Sequence, residues 1–441
     1  MSTPFLELPV RAILAPIERR IGAGKAARLY ALADQGSSGV ANIVAFALLG
    51  RALPVGQFGA IGMMIGLHYF IAGFHRSAIV LPFTTDHRLA RDPGEAHCED
   101  NGWWWLGLAL ALLLSVAIGL AGVIVARVGD ALPSWRWLAQ SLFLTALISP
   151  AMLAWEFARR WLYKIERADM VALCSLSYFL ALCAGAWLVS HHAPSAFAGA
   201  SAWVVASLCA LLIALPTVRP ARPDRAVAAR LIHDNRADAG WLAATNLPYS
   251  VYSSATIVVL IGLLVGSVAA AVFSAARTLT NPAMSIVTAI DSIDKPRAAR
   301  AFAADGMAGL RSVVHRSRLS IALATGLYLG LVALFAGPLI ALAFKGQYAG
   351  LEHEVRLLAL GFFLFGLNLP SETLLIVLRA GRTMLTVRSV TALVTIVALA
   401  IGSAYGVSGM AIAFAVTQAG NFVLLRGIEH WAGTHAERRL A

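Results

Sequence analysis

The 441 residues are 59% hydrophobic and only 13% charged, with a mean hydropathy of +0.74, too little charge to cover the surface of a soluble protein of this length. Apolar runs repeatedly reach the roughly 20 residues that cross a hydrocarbon core, so the chain reads as an all-α polytopic membrane protein. The formal charge of +12 and pI near 10.1 would suggest nucleic acid in a soluble chain, but no stretch outside the apolar runs is long enough to fold a binding domain, and nucleic acid is excluded as a partner.

Residues 1–26 mix Arg11, Arg19, Arg20 and Lys25 with apolar positions, lack the long apolar core of a secretory signal, and are expected as a cytoplasmic amphipathic lead-in. About twelve spans follow, near 27–50, 56–83, 102–127, 136–160, 169–190, 195–217, 241–265, 267–292, 318–340, 354–378, 383–404 and 406–429. In the first, Asp34, Ser38 and Asn42 recur every four residues, and Arg51 closes it. The second carries His68, His75 and Arg76, with glycines at 59, 62, 66 and 73 that permit close helix approach. Ser141, Thr145, Ser149 and Glu156 mark the fourth. The Pro- and Arg-rich stretch 216–240 interrupts the pattern near the middle, and 218–240 is expected as a cytoplasmic linker. It separates an N-terminal six-helix lobe, 27–217, from a C-terminal one, 241–430, with a cytoplasmic tail at 431–441.

Polar stripes continue in the second half. Asn246, Ser250, Ser253 and Thr256 share a face of the seventh span, close to Tyr249 and Tyr252. Ser274, Arg277, Asn281, Ser285 and Thr288 share a face of the eighth, beside Pro282. Asn368, Ser371, Glu372 and Arg379 lie in the tenth. Stripes of Ser, Thr and Gly also glue membrane helices together, and Asp34 has Arg28 and Arg76 as candidate partners. Arg277 stands apart, because a guanidinium near mid-bilayer costs at least about 2.5–3.5 kcal/mol and needs a partner or a wet cavity.

Basic residues set the expected orientation. With the N-terminus inside, five of the 35 lysines and arginines (Arg51, Arg127, Arg136, Lys345 and Arg356) fall beside external segments, two (Arg76 and Arg277) inside spans, and the rest on the cytoplasmic side. Both termini are therefore expected in the cytoplasm. Six spans per half is an even number, so any internal repeat is parallel; a faint one appears at an offset of 210, where Leu53, Val55 and Gly56 match Leu263, Val265 and Gly266. The four cysteines lack CxxC spacing and read as small hydrophobes, and no Walker A, GxSxG or HExxH motif occurs, so neither a cofactor, a metal nor an enzymatic activity is expected.

The stretch "LADQGSSGVANIVAFALLGRALPVGQFGAIGMMI", then "GFHRSAIVLPF", with the basic "WEFARRWLYKIERADMVAL" at 155–173, resembles the polysaccharide-transporter (Wzx-type lipid-linked oligosaccharide flippase) branch of the multidrug/oligosaccharidyl-lipid/polysaccharide exporter superfamily. The resemblance implies two six-helix lobes working by alternating access around a cavity lined by the first, second, seventh and eighth helices. It implies a polyprenyl-diphosphate-linked oligosaccharide as substrate, moved to the external leaflet of the inner (plasma) membrane, beside polysaccharide polymerase and export machinery. On that reading Arg277, Arg51 and Arg76 meet phosphate, Asn42, Asn246, Asn281, Tyr249 and Tyr252 meet sugar, and Asp34 and Glu156 serve coupling or gating. Rival expectations are an ion-coupled multidrug exporter of the same superfamily and a non-transporting scaffold; a membrane glycosyltransferase would need a larger external loop than this chain offers.

Overall fold

The computed structural model describes residues 23–85, 93–131, 135–253, 255–378 and 380–440, and these are almost wholly helical. The helices are α1 (Ala23–Ala52), α2 (Val55–His75), a π-helical turn (Arg76–Val80), α3 (Leu81–Thr85), α4 (Pro93–Ala131), α5 (Arg136–Lys164), α6 (Ala168–His192) and α7 (Ala196–Val218). They continue as α8 (Arg225–Tyr252), α9 (Ile257–Val265), α10 (Ser267–Thr280), α11 (Pro282–Leu334), α12 (Ala336–Phe344), α13 (Glu352–Val377), α14 (Gly381–Ser403) and α15 (Gly406–Leu440). The lead-in up to residue 22, Arg379 and the side chain of Arg28 lie outside the described residues.

Each expected span is helical, and by length and apolar content nine of the described helices qualify as membrane crossings, or ten when a bent pair is taken as one. The bent pair is the seventh span, where Ala244–Tyr252 and Ile257–Val265 meet at 58°. Two expected spans do not qualify. The first is diluted by Asp34, Gln35, Ser37, Ser38 and Asn42, and the eighth stops after the 14 residues of α10, where Pro282 has no N–H to continue the ladder.

Packing divides the chain into two units, Met1–Leu53 with Leu67–Ala243, and Pro54–Gly66 with Ala244–Ala441. The first half of α2 thus belongs with the C-terminal helices, because its glycines admit α10. A Cβ on Gly59 would lie 2.0 Å from the Ser267 carbonyl oxygen, and one on Gly62 1.9 Å from Ser274 Oγ. Only glycine permits that approach.

Three stretches expected as connections or plain spans take more definite forms. Residues 218–240 enter helix at Arg225, so α8 runs without interruption from polar sequence into the seventh span. Residues 293–317 are helical too, inside α11, which bends at Gly306 (φ 59°) and packs Ala298, Met307, Leu310 and Val314 on Leu374, Leu375 and Val387. At the α8–α9 break, the Thr256 hydroxyl bonds the Ser250 carbonyl and lies 2.7 Å from Ser253 Oγ. The Thr256 hydroxyl thus bonds a backbone carbonyl beside the break, where lipid offers no donor.

Candidate functional site

In the first unit the polar face of α1 is turned inward. Asp34 is fully buried and accepts from Arg159 Nε at 3.0 Å and Nη2 at 2.5 Å, from Tyr163 Oη at 2.7 Å and from Ser175 Oγ at 2.5 Å. Arg159 and Tyr163 stand one turn apart on α5, and Ser175 comes from α6, so one carboxylate ties three helices. The partner of Asp34 is therefore Arg159; Arg76 is engaged elsewhere. It opens the π-helical turn and donates to Glu156 Oε1 at 3.1 Å, which Arg160 also approaches at 3.5 Å. Successive residues of "EFARR" thus serve two neighbouring ion pairs, Glu156 and Arg160 in one and Arg159 in the other.

The remaining polar positions of this unit are mostly internal. Asn42 donates to the Ser38 carbonyl at 2.8 Å and accepts from Trp203 Nε1 at 3.0 Å, joining α1 to the fully buried indole of α7. Buried His68 meets Ser149 through Nδ1 at 3.2 Å, and Ser141, Thr145 and Ser149 return their hydroxyls to carbonyls four residues back. Arg51, half-buried, ends α1. Cys98 is exposed, unlike the buried Cys174.

The second unit has an arginine–carboxylate network of its own. Arg388 on α14 donates to Glu372 Oε2 on α13 at 2.6 Å and to the Thr245 carbonyl on α8 at 3.4 Å. Its guanidinium lies 4.7 Å from the centroid of the Tyr249 ring, which meets Tyr252 edge-on at 5.5 Å. Tyr252 is buried, and the two tyrosines form an aromatic wall for Arg388. Nearby, Arg318 donates to Glu429 Oε2 at 2.7 Å and to Ser371 Oγ at 2.9 Å. Asp291 takes Lys295 at 2.5 Å and the Thr373 hydroxyl at 3.0 Å.

The face that carries Arg277 opens gradually. Ser274 is buried against Gly62, Arg277, Asn281 and Ser285 are half-buried, and Thr288 is exposed. Arg277 sits in the last turn of α10, and its carbonyl accepts from Asn281 N–H at 2.8 Å, one residue before the helix-breaking proline. Asn246 is half-buried and reaches Ser250 Oγ at 3.3 Å. Sequence reasoning missed Arg159, Tyr163, Ser175 and Arg388. Arg388 was legible as a charge five residues inside the expected eleventh span, and the Arg159–Tyr163 pair as an i, i+4 repeat.

Most span carboxylates are neutralised from within; half-buried Glu354 is an exception, taking the Ser408 hydroxyl on one oxygen while its Oε2 has no partner among the described residues. Asp34, Glu156, Asp291, Glu372 and Glu429 each have a basic partner, at 2.5, 3.1, 2.5, 2.6 and 2.7 Å. Such carboxylates are already spent on cations of the chain.

No protein-family model matches the sequence, and no curated protein matches it. Solved structures do resemble it across most of its length. An inward-facing multidrug resistance MATE family transporter of the MOP superfamily aligns with a TM-score of 0.71 and 12% identity over 92% of this chain and 96% of that one. A MATE protein in complex with MaL6 aligns with a TM-score of 0.60 and 13% identity over 94% and 97%. The lipid II flippase MurJ, in an inward closed conformation, aligns with a TM-score of 0.62 and 11% identity over 90% and 86%. At such identities the shared property is the fold, an all-helical two-lobe architecture common to these transporters.

Proposed function

We propose that the chain is an alternating-access transporter that flips a polyprenyl-diphosphate-linked oligosaccharide from the cytoplasmic to the external leaflet of the inner membrane. Both termini lie in the cytoplasm on this reading, and polysaccharide polymerase and export proteins are its working partners. One observation supports it: Asp34, Glu156, Asp291, Glu372 and Glu429 are each neutralised by a basic group of the chain, so they offer a cationic cargo little, and the last turn of α10 carries a half-buried arginine, Arg277. Arginine gives phosphate oxygens a two-pronged donor, and half-buried it meets them with less competition from water. Arg277 is assigned to the diphosphate, with Asn281 and Asn246 toward sugar.

A second reading, a small-molecule exporter, draws on the higher TM-score to the MATE transporter, 0.71 against 0.62 for the flippase. Arg277 separates the two. Arg277→Ala is expected to express normally and to accumulate lipid-linked sugar on the cytoplasmic side, Arg277→Lys to retain part of the activity, and Arg225→Ala, at an exposed position near the start of α8, to export normally. A well-expressed Arg277→Ala protein that exports polysaccharide at the normal rate removes the phosphate assignment. Export of organic cations by the wild type, with no change in lipid-linked sugar on deletion, establishes the exporter instead.

A further inference from the structure

The first unit holds a cleft that the transport reading does not use. It encloses about 340 Å³ between the π-helical turn, α4 and the early turns of α8, within the range of roughly 300–1,000 Å³ typical of ligand sites. Its walls are apolar: Ile79 from the π turn, Trp103, Leu106 and Leu110 from α4, and Leu231 from α8. Among the described residues its polar lining comes from Asn235 and Arg236 on α8.

The cleft lies at a membrane–water boundary by its chemistry. Trp103, Trp104 and Trp105 mark the interfacial level on α4, and the polar segment before α8 is fastened there: the Ala221 carbonyl accepts from Trp105 Nε1 at 2.8 Å, and its N–H donates to Asn101 Oδ1 at 2.6 Å. Gly102 lets α8 press close, since a Cβ there would lie 2.7 Å from Leu231 Cδ1. Arg230 pins the helix by its bond to Glu99 at 2.8 Å. From this level Leu106, Leu110 and Leu113 run along one face of α4 into the span, and Leu113 is 65% exposed. On α8, Ile232 is 55% exposed beside the buried Leu231.

We propose that this cleft binds an anionic phospholipid of the bilayer, one acyl chain lying along Leu106, Leu110 and Ile79 and the headgroup phosphate at Arg236. Charge complementarity selects that occupant. Arg236 is exposed and carries no ion pair among the described residues, and residues 219–236 hold five arginines against two aspartates. A detergent tail fills the groove but leaves the guanidinium unanswered, and a zwitterionic lipid brings a phosphate whose charge its own choline already offsets, so a net anionic headgroup is favoured. The site is independent of the transported substrate, so it stands or falls apart from the flippase reading.

The test is native mass spectrometry of the full-length purified protein, titrated with phosphatidylglycerol or with phosphatidylcholine of the same acyl chains. The wild type should retain one phosphatidylglycerol per chain in clear preference to phosphatidylcholine. Arg236→Ala should weaken that preference on the order of fivefold, the worth of one basic residue at an anionic surface. Ala109→Trp, which fills the groove from an exposed position of its lining, should reduce retention of both lipids while the thermal midpoint stays at the wild-type value. Equal retention of the two lipids by the wild type overturns the proposal, as does undiminished phosphatidylglycerol retention in either variant. Arg236→Glu guards against a small effect of the alanine: it should abolish the preference, and a preserved preference also overturns the site.

Discussion

The Asp34–Arg159 pair yields a sharp prediction about what holds the first unit together. Asp34 is wholly buried and the Arg159 side chain is 12% exposed, so neither charge can turn to water if the other is removed. Arg159→Ala leaves a buried carboxylate with only the Tyr163 and Ser175 hydroxyls, and Asp34→Asn leaves a buried guanidinium; each should cost about 3–5 kcal/mol. At a few degrees per kcal/mol, the thermal midpoint should fall by on the order of 10 °C. The double variant Asp34→Asn/Arg159→Met removes both charges and keeps an acceptor for Tyr163, so it should recover most of the loss. Arg76→Ala is the contrast. Its side chain is 46% exposed and Glu156 retains Arg160, so the loss should stay below about 1 kcal/mol. The assay is the midpoint of the monodisperse fraction on heating in detergent. A double variant as unstable as either single, or singles as stable as the wild type, would show that charge pairing does not hold these helices.

The glycine contacts of α2 predict that Gly59→Ala loses folded protein, because its Cβ would meet the Ser267 carbonyl and the Ala271 amide, which cannot rotate away; Gly420→Ala, facing open space, should be neutral or stabilising by about 0.4–1 kcal/mol. Fluorescence-detected size exclusion measures both, and normal yield of Gly59→Ala refutes the packing. In a chain stripped of its native cysteines, single cysteines at Gln347 should react with an impermeant external thiol reagent and those at Ala221 and Ala303 should not. Labelling of Ala221 in intact cells would reverse the proposed orientation.

What was legible in the sequence was local. That the apolar runs are helical was legible, though ten at most of the twelve expected spans are long and apolar enough to cross, and the glycines of the second span announce a close contact, because both signals need only neighbours in sequence. The partner of Asp34 lies 125 residues away, and nothing in α1 names it; Arg28 and Arg76 seemed nearer because sequence distance stood in for space. The stripe from Ser250 to Thr256 reads as one helical face, yet the helix breaks there and the Thr256 hydroxyl reaches back to the Ser250 carbonyl. Polar side chains in a span satisfy backbone as readily as they line a path, and periodicity cannot tell these apart. Helix in 293–317 was likewise hidden, because its apolar residues pack in a cluster rather than form a run long enough to span.

The two networks make a stronger case for an internal repeat than the short matches at an offset of 210. In the first half the tie joins the first, fourth and fifth helices, through Asp34, Arg159 and Ser175. In the second half it joins the helices of the same rank, through Tyr249 and the Thr245 carbonyl, Glu372 and Arg388. The roles have migrated: the carboxylate stands on the first helix in one half and the fourth in the other, the arginine on the fourth and then the fifth. Residue-by-residue comparison is blind to such an exchange, since no position keeps its residue type, yet the physical requirement is the same. A unit that moves as a body must keep its own helices together while its surroundings change. A buried, hydrogen-bonded ion pair resists opening because separating it strands two charges in a medium that cannot solvate either. On the proposed alternating-access reading, rigid lobes of that kind are what rocking between two states requires, because strain then falls on the connections rather than within the bundles.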